Sequence, residues 1–443
     1  MSKKNLFFAT LLLVAGMSYA QLRPTDKDGI NVFETPKTET EFDGLNVKFG
    51  GAMSLTYSML DHSNSTTTAN GYTYNYTTPT ASSLVPLAKN FGLPQANFYI
   101  KSNLADGVFL NFELYLAARH HNETWVKGGY MQFDKMPFLP WDFVDKIMKF
   151  TTIKVGQFDV NYGDAHFRRS DGGLTLQNPF MENYIMDEFA TEIGAEADVH
   201  LGDFTVVAAV TNGQLSPDLV KVDTTVAAYK YSNGIHNPSW IGKLAYDKNL
   251  LNDDLRVRAS VSGYYTSGSI KNTLFGGDRT GSNYYGVMYN AAPGTATFLN
   301  GRYNPGFGDK LGTVMGNLFL KYDIMDNLSI ETFTTYEKAK GRSMVQSTER
   351  NATQFAQDVI LRFGADEKFF VGGRYNTVNA EVAATTPYEI DINRTAISAG
   401  WFMTKNIMAK IEYVNQKYNG FPTGNIYDKG EFHGLSAQAA IAF

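Results

Sequence analysis

The chain has 443 residues, a formal charge of −5 and no cysteine. The mild acidity argues against a nucleic-acid-binding surface, because such surfaces usually carry a basic patch. The lack of cysteine excludes disulfides, thiol catalysis and cysteine–metal sites. With 26 Tyr, 31 Phe and 40 Gly but only 14 Pro, the composition favours β-strands and the aromatic girdles of membrane interfaces.

The first 20 residues have the features of a secretory signal peptide. Lys3 and Lys4 form a basic start, residues 6–16 are apolar but too few to span a bilayer, and Ser18 and Ala20 precede a cut before Gln21. No other segment approaches the roughly 18 apolar residues of a membrane helix. We therefore predict an exported protein, either secreted and soluble or a β-barrel of an outer membrane. Residues 21–43 are polar and are predicted to be a periplasmic leader that hangs free or enters the barrel.

Alternation of apolar and polar residues recurs throughout residues 44–443. Within residues 44–60, for example, Leu45, Val47 and Phe49 alternate with Asn46 and Lys48, which is the period of a β-strand. We count sixteen such segments, many of them paired through short turns. One turn contains an Asp-Gly pair at residues 106–107, a strong hairpin signal. The sequence therefore predicts consecutive antiparallel hairpins.

The links between the predicted strands alternate between short and long. Most links after even-numbered strands have a few residues, whereas those after odd-numbered strands are long and polar, including residues 162–189, 268–312, 340–352 and 380–393. Outer-membrane barrels have this arrangement, with short periplasmic turns and long extracellular loops. We therefore predict an all-β fold, a closed antiparallel transmembrane β-barrel of about 16 strands, which leaves no open edge in lipid. A soluble β-sandwich is the alternative, but it normally fits seven strands into about 100 residues.

The carboxyl-terminal segment is predicted to be the last strand and to pair with the first. Its ending on Phe443 resembles bacterial outer-membrane β-barrels. The alternation places Ser436 and Gln438 on the lumen side. The residues predicted to face lipid are Leu435, Ala437, Ala439, Ile441 and Phe443.

The link at residues 135–150 departs from the strand pattern. From Trp141 onward it is predicted to form a short amphipathic helix at the periplasmic rim, capping the barrel mouth. Its predicted apolar side consists of Phe143, Val144, Ile147 and Phe150.

A barrel of 16–18 strands leaves a water-filled channel, and the face opposite the apolar stripe is polar. Charges of both signs on this face would be costly in a dry interior unless they were paired. We therefore favour a wet pore over a packed interior cross-linked by opposite charges. The predicted lumen-facing charges are Lys48, Lys101, Glu113, Lys154, Glu192, Glu196, Asp198, Lys243, Arg256, Arg258, Lys321, Glu331, Asp358, Arg362, Arg374, Lys410 and Glu412.

The third long link, residues 162–189, is rich in charged and aromatic residues. It resembles, in position and length, the third loop of general porins, which folds into the lumen and narrows it. That resemblance implies eyelet cations facing carboxylates, and rings of charge set pore selectivity. A surface loop that pairs its own charges is the alternative. The candidate constriction residues are Asp164, His166, Arg168, Arg169, Asp171, Glu182, Asp187 and Glu188.

Lys154-Val155-Gly156-Gln157-Phe158, followed by Tyr162-Gly163, is similar to the phosphate-selective porin O and P group. This resemblance to a bacterial porin implies passive transport of small hydrophilic solutes or ions across the outer membrane of a Gram-negative bacterium, and a homotrimer. Phosphate selectivity is not carried over, since the family's dense ladder of Lys and Arg is replaced by mixed charges.

We identify no catalytic, metal or cofactor site in the sequence. HExxH, EF-hand and P-loop motifs are absent, and His120 and His121 are adjacent on a strand edge, where they point in opposite directions. We therefore predict a porin rather than an enzyme, with outer-membrane lipid and small solutes as partners and no nucleic acid.

The alternative is a non-conducting barrel that serves as an adhesin or a secretion or docking component. Long loops such as residues 268–312, with Tyr284, Tyr285, Tyr289 and Tyr303, would then bind partners.

Overall fold

The computed structural model describes residues 23–35, 37, 42–66, 83–116, 124–171, 173–188, 190–215, 219, 221–232, 236–276, 281–290, 300–384 and 386–443. The predicted signal peptide, residues 1–20, and the adjacent His120 and His121 lie outside these ranges. Within the described part of the chain, no helix has the length and apolar character needed to cross a membrane.

Sixteen strands form one closed antiparallel barrel in which each strand pairs with its neighbours in the chain. This confirms the predicted fold class and strand number. The strands are β1 Asn46–Ser63, β2 Asn90–Ala105, β3 Val108–Leu116, β4 Trp125–Phe133, β5 Thr151–Asp159, β6 Thr191–Leu201, β7 Phe204–Thr211, β8 Ser239–Leu250, β9 Leu255–Thr266, β10 Lys310–Met325, β11 Leu328–Arg342, β12 Arg350–Phe363, β13 Phe369–Val382, β14 Tyr388–Thr404, β15 Ile407–Asn419 and β16 Glu431–Ala442.

The barrel closes where β16 pairs with β1, in a register that places Ala439 opposite Leu55. Phe443 extends this contact, because it exchanges two backbone hydrogen bonds with Gly51 at 2.9 and 3.0 Å. Along β16 the predicted alternation is confirmed: Ser436 and Gln438 are buried, whereas Leu435 is 40% and Phe443 69% exposed on the outside. From Leu435 onward, the last strand therefore presents its large apolar side chains outward and its polar side chains inward.

Short turns gather at one end of the barrel and most long links at the other. Two links are shorter than predicted, since only residues 343–349 separate β11 from β12 and residues 383–387 separate β13 from β14. The polar ends of these strands continue the ladder, as in the pairing of Glu381 with Glu389. Polar residues were misassigned to loops because backbone pairing above the apolar band does not require an apolar face.

The predicted helix is present as α1 Asp142–Met148, but its buried side differs from the prediction. Val144 and Met148 are the buried residues, whereas Phe143, Ile147 and Phe150 are each more than half exposed. Val144 and Met148 are four residues apart and so lie on the same side of the helix. In so short a helix this one pair makes the contact with the barrel, and most of the other apolar side chains stay exposed.

The interior is more filled than the strand number alone predicts. Three segments enter it: leader residues 23–35, the third long link, and parts of the link between β9 and β10. Phe33 of the leader, Phe180 of the third link and Tyr284 of the β9–β10 link are all nearly inaccessible. In the residues that the structure describes, much of the lumen is therefore occupied by folded chain.

Candidate functional site

The third long link lies inside the barrel because its backbone amides donate to polar side chains of the wall. Met181 N donates to Glu412 Oε2 at 2.8 Å, Ile185 N to Asn376 Oδ1 at 2.7 Å and Met186 N to Gln354 Oε1 at 2.8 Å. The acceptors belong to β15, β13 and β12. Buried amides need such partners, so polar residues on the inner wall hold the loop in place.

A first charge cluster joins the third link to the β9–β10 link. Arg169 binds Asp171 at 2.6 Å and Asp187 at 2.7 Å. Arg302, from the β9–β10 link, binds Glu182, with an Nη2–Oε1 distance of 2.5 Å, and Asp187 at 2.9 Å. Burial opposes ionisation of Asp171, but the positive charge of Arg169 outweighs it and lowers the pKa of Asp171. The two links are thus cross-linked by buried ion pairs.

A second cluster joins the third link to the leader through the barrel wall. Lys243 of β8 contacts Glu34 at 2.8 Å and Asp164 at 2.5 Å. Arg258 of β9 contacts Glu34 at 2.6 Å and Asp164 at 2.9 Å. Although burial alone would raise it, the pKa of Glu34 is lowered to about 2, chiefly by Lys243 and then by Arg258. The same two cations lower the pKa of Asp164 against its burial.

The remaining candidate residues of the third link also pack inside the barrel. Arg168 lies 3.8 Å from Glu331 and 4.9 Å from the ring centre of Phe333. Glu188 accepts a hydrogen bond from Gln354 at 3.0 Å. Burial is the main reason that the pKa of Glu188 lies well above its ordinary value, and the charge of Glu337 adds to it.

All eight predicted constriction residues are thus inside the barrel, and none is more than 8% exposed. Most are engaged in ion pairs or hydrogen bonds, so they do not form an open ring of charge. The main cavity of the barrel interior lies to one side of these residues.

A cavity of about 170 Å³ lies between the inserted segments and the wall formed by β2 to β6. Among the predicted constriction residues, His166 borders it. Its charged lining includes Lys101, Glu113 and Lys154 from the wall. The leader contributes further lining residues, which are Arg23, Thr25, Phe33, Glu34 and Thr35.

The predicted lumen charges fall into three groups. Lys101, Glu113 and Lys154 border the cavity, and Lys154 pairs with Glu196 at 2.7 Å and Asp198 at 3.0 Å. Lys48 is exposed and stands opposite Lys101 in the β1–β2 register.

The third group is held by contacts with the inserted segments, with other wall strands or, for Lys321, with the short turn between β12 and β13. Arg374 binds Asp358 at 2.7 Å and the backbone of Glu182 at 2.6 Å, and Lys410 donates to the Phe180 carbonyl at 2.7 Å. Arg362 binds Glu331 at 2.7 Å, Arg256 binds Asp247 at 2.7 Å, and Lys321 binds Glu367 at 3.0 Å. Glu192 accepts from Tyr264 at 3.0 Å, and Tyr284 donates to Glu412.

Sequence reasoning missed several charged residues of the interior, among them Glu34, Arg302 and Arg394. Glu34 was assigned to a leader that hangs free or enters the barrel, Arg302 to an extracellular loop, and Arg394 was omitted from the lumen. Arg394 donates to the backbone carbonyls of Asn183 and Gly301 at 2.7 and 2.6 Å. Tyr284, predicted as part of a partner-binding loop, lies inside the barrel as well. The apolar–polar alternation along β14 could have placed Arg394 on the lumen side. No local pattern in the sequence marks Glu34 or Arg302 as interior residues.

Neither a family model nor a curated protein matches this chain, but solved structures do. OprB of Pseudomonas putida is 10% identical, with a TM-score of 0.51 and coverage of 90% of this chain and 94% of that chain. OmpT, an outer membrane protein of Vibrio cholerae, is 10% identical, with a TM-score of 0.48 and coverage of 92% and 100%. An anion-selective porin from Comamonas acidovorans is 9% identical, with a TM-score of 0.46 and coverage of 90% and 100%.

At these identities the likeness concerns the fold, and the comparison with OprB carries it. The closed 16-strand antiparallel barrel with large apolar side chains on its outer face defines the class of fold: the chain has the architecture of an outer-membrane porin.

Proposed function

We propose that this protein is an outer-membrane channel for passive diffusion of small hydrophilic solutes or ions. The observation that carries the proposal is the polar cavity of about 170 Å³ inside the closed barrel. A cavity of this size holds on the order of ten water molecules. Charged groups around a cavity of this size would be costly in a dry interior, which favours a water-filled passage over a solid support.

The charges around the cavity support passage of polar solutes. Lys101 and Lys154 lie on the same wall as Glu113 and Asp159. Charged groups that keep contact with water avoid much of the cost of burial, and they stabilise a hydrated solute by replacing part of its solvent. The mixed charges do not favour a dedicated phosphate channel.

Planar-bilayer recording of the purified protein tests this function. Stable ohmic steps are expected, and their absence at high protein concentration would contradict an open channel. Lys101→Gln should shift the reversal potential in a salt gradient toward cations, because it removes a positive charge beside the passage. Lys135→Gln is the matched control, since Lys135 pairs with Asp106 at an exposed turn at 3.0 Å, away from the cavity.

A non-conducting barrel that docks partners is the second candidate. The observation that favours it is the extent to which the leader and two long links fill the interior. It predicts electrically silent protein in bilayers, and exposed loop residues such as Tyr285 would then be the surface to examine. A homotrimer in outer-membrane lipid, without catalytic activity, is part of the main proposal, and native mass determination in detergent tests the trimer.

A further inference from the structure

We propose that leader residues 23–35 form a permanent constriction element, which lines the passage with the β2–β6 wall and sets its width. This inference rests on the proposed channel function. It assigns a role to a segment that the sequence identified only as a polar leader. The structure supports it through contacts at the barrel rim, in the interior and at the cavity.

At the rim with the short turns, the leader is joined to two of those turns. Lys27 N donates to the Lys405 carbonyl at 2.9 Å, and Lys405 pairs with Asp26 at 3.3 Å. Lys27 in turn pairs with Asp366 at 3.4 Å. Exposed ion pairs contribute little individually, so these contacts mainly fix where the leader enters.

Deeper in the barrel, the leader makes buried contacts with the wall. Asn31 Nδ2 donates to Glu331 Oε1 at 2.6 Å, and Arg256 Nη1 donates to the Asn31 carbonyl at 3.0 Å. Phe33 packs edge-on against Phe319, with ring centres 5.5 Å apart. These contacts join the leader to three successive strands, β9 to β11.

The buried ion pairs of Glu34 are the strongest evidence that the leader stays in place. Its carboxylate is shared by Lys243 and Arg258 at 2.8 and 2.6 Å. If the leader withdrew, both cations would lose one of their carboxylate partners in a buried site, which is costly. A plug that moved freely would have to break this cluster at each opening.

The leader also contributes directly to the cavity. Arg23, Thr25, Phe33, Glu34 and Thr35 border it, and Lys101 Nζ of the opposite wall donates to the Arg23 carbonyl at 3.2 Å. Arg23 also donates to the Phe167 carbonyl of the third link. The passage therefore narrows between the leader and β2–β6, and removal of the leader would merge the cavity with the space that the leader fills.

Deletion of residues 23–35, with the signal peptide and Gln21-Leu22 retained, tests the width. If the wild-type protein conducts, the deletion should raise single-channel conductance at least twofold and admit larger neutral polymers. Unchanged conductance in a folded deletion variant would overturn the leader inference alone. Silence of both the wild-type protein and the deletion variant would overturn the proposed channel function.

A full-length cross-link tests permanence without the risk that the deletion misfolds. The backbone hydrogen bond from Lys27 N to the Lys405 carbonyl at 2.9 Å holds the two residues side by side, so a pair of cysteines at these positions can be tested for a disulfide, and the chain has no other cysteine. The Lys27→Cys/Lys405→Cys variant should conduct equally when oxidised and when reduced. Block on oxidation that a reductant reverses would overturn the inference and identify a movable plug. Lys405→Cys alone is the control for the oxidant.

Discussion

Glu34 and Asp164 are held by the same two wall cations, although 130 residues of sequence separate them. Lys243 lies 2.8 Å from Glu34 and 2.5 Å from Asp164, and Arg258 contacts both carboxylates as well. One pair of residues on β8 and β9 thus anchors both the leader and the third link. Loss of Lys243 or Arg258 should therefore weaken the attachment of both the leader and the third link to the wall.

Lys243→Met should therefore destabilise the barrel. The substitution keeps much of the side-chain volume but leaves two buried carboxylates with Arg258 alone, and breaking a buried pair costs about 3–5 kcal/mol. The free energy of unfolding in urea, measured in detergent, checks this. Lys248→Met is the control on the same strand, because the Lys248–Asp203 pair is about 40% exposed and solvent screening leaves such a pair little effect on stability. Equal effects of the two substitutions would contradict the cluster's role.

Low pH should weaken the ion pairs that Glu34 and Asp164 make with the two wall cations. The pKa of Glu34 is lowered to about 2, so its contribution to stability is present above the ordinary Glu value of about 4.3 and is lost as the pH falls toward 2. Asp164 shifts in the same direction and adds to the loss. Unfolding free energies between pH 5 and pH 2 measure it. Glu34→Gln should lose less stability over this window than the wild-type protein, and an equal loss would contradict the prediction.

For Glu188, the pH dependence of stability should have the opposite sign: a rise in pH should destabilise the protein. Because burial and Glu337 raise its pKa well above the ordinary value, its contribution to stability is present below about pH 4.3 and is lost as the pH rises through the folded-state pKa. Glu188→Gln should keep the Gln354 contact in a neutral form and flatten the pH profile above pH 5. Glu349→Gln, at an exposed pair with Lys310, should leave that profile unchanged. A wild-type profile that is already flat would contradict a protonated Glu188.

Arg302 should connect the two inserted links. Arg302→Met removes contacts with Glu182 and Asp187 at 2.5 and 2.9 Å and leaves part of their charge unpaired in a buried site. We expect a loss of about 3–5 kcal/mol together with greater protease sensitivity in both links. Lys310→Met removes a neighbouring but partly exposed pair and is the control. Cleavage confined to one link would show that Arg302 does not couple them.

The exposed side of α1 should lie at the membrane interface. Trp141, Phe143 and Ile147 are each more than 50% exposed, and aromatic residues favour the interface of membrane barrels. A variant that retains only Trp141 among the four tryptophans should be quenched by lipids brominated near the headgroup. Quenching by iodide in the water phase, but not by these lipids, would place the helix away from the membrane.

Sequence alone was sufficient for the barrel, because each strand is marked by local alternation. Leu435, Ser436 and Gln438 were assigned to the correct faces from the apolar–polar alternation. Counting the alternating segments predicted the strand number, and the alternating link lengths predicted the position of the short turns. Closure followed from the physical requirement that a sheet in lipid has no free edge.

The contents of the barrel were decided by the tertiary structure. Glu34, Asp164 and Lys243 meet only after the barrel has closed around the leader and the third link, and no periodicity relates their positions. Lumen side chains such as Asn376 and Gln354 could face either water or an inserted backbone, because both satisfy their hydrogen bonds equally well. Strand alternation is a local property, whereas the pairing of charges inside a closed barrel depends on contacts between distant segments.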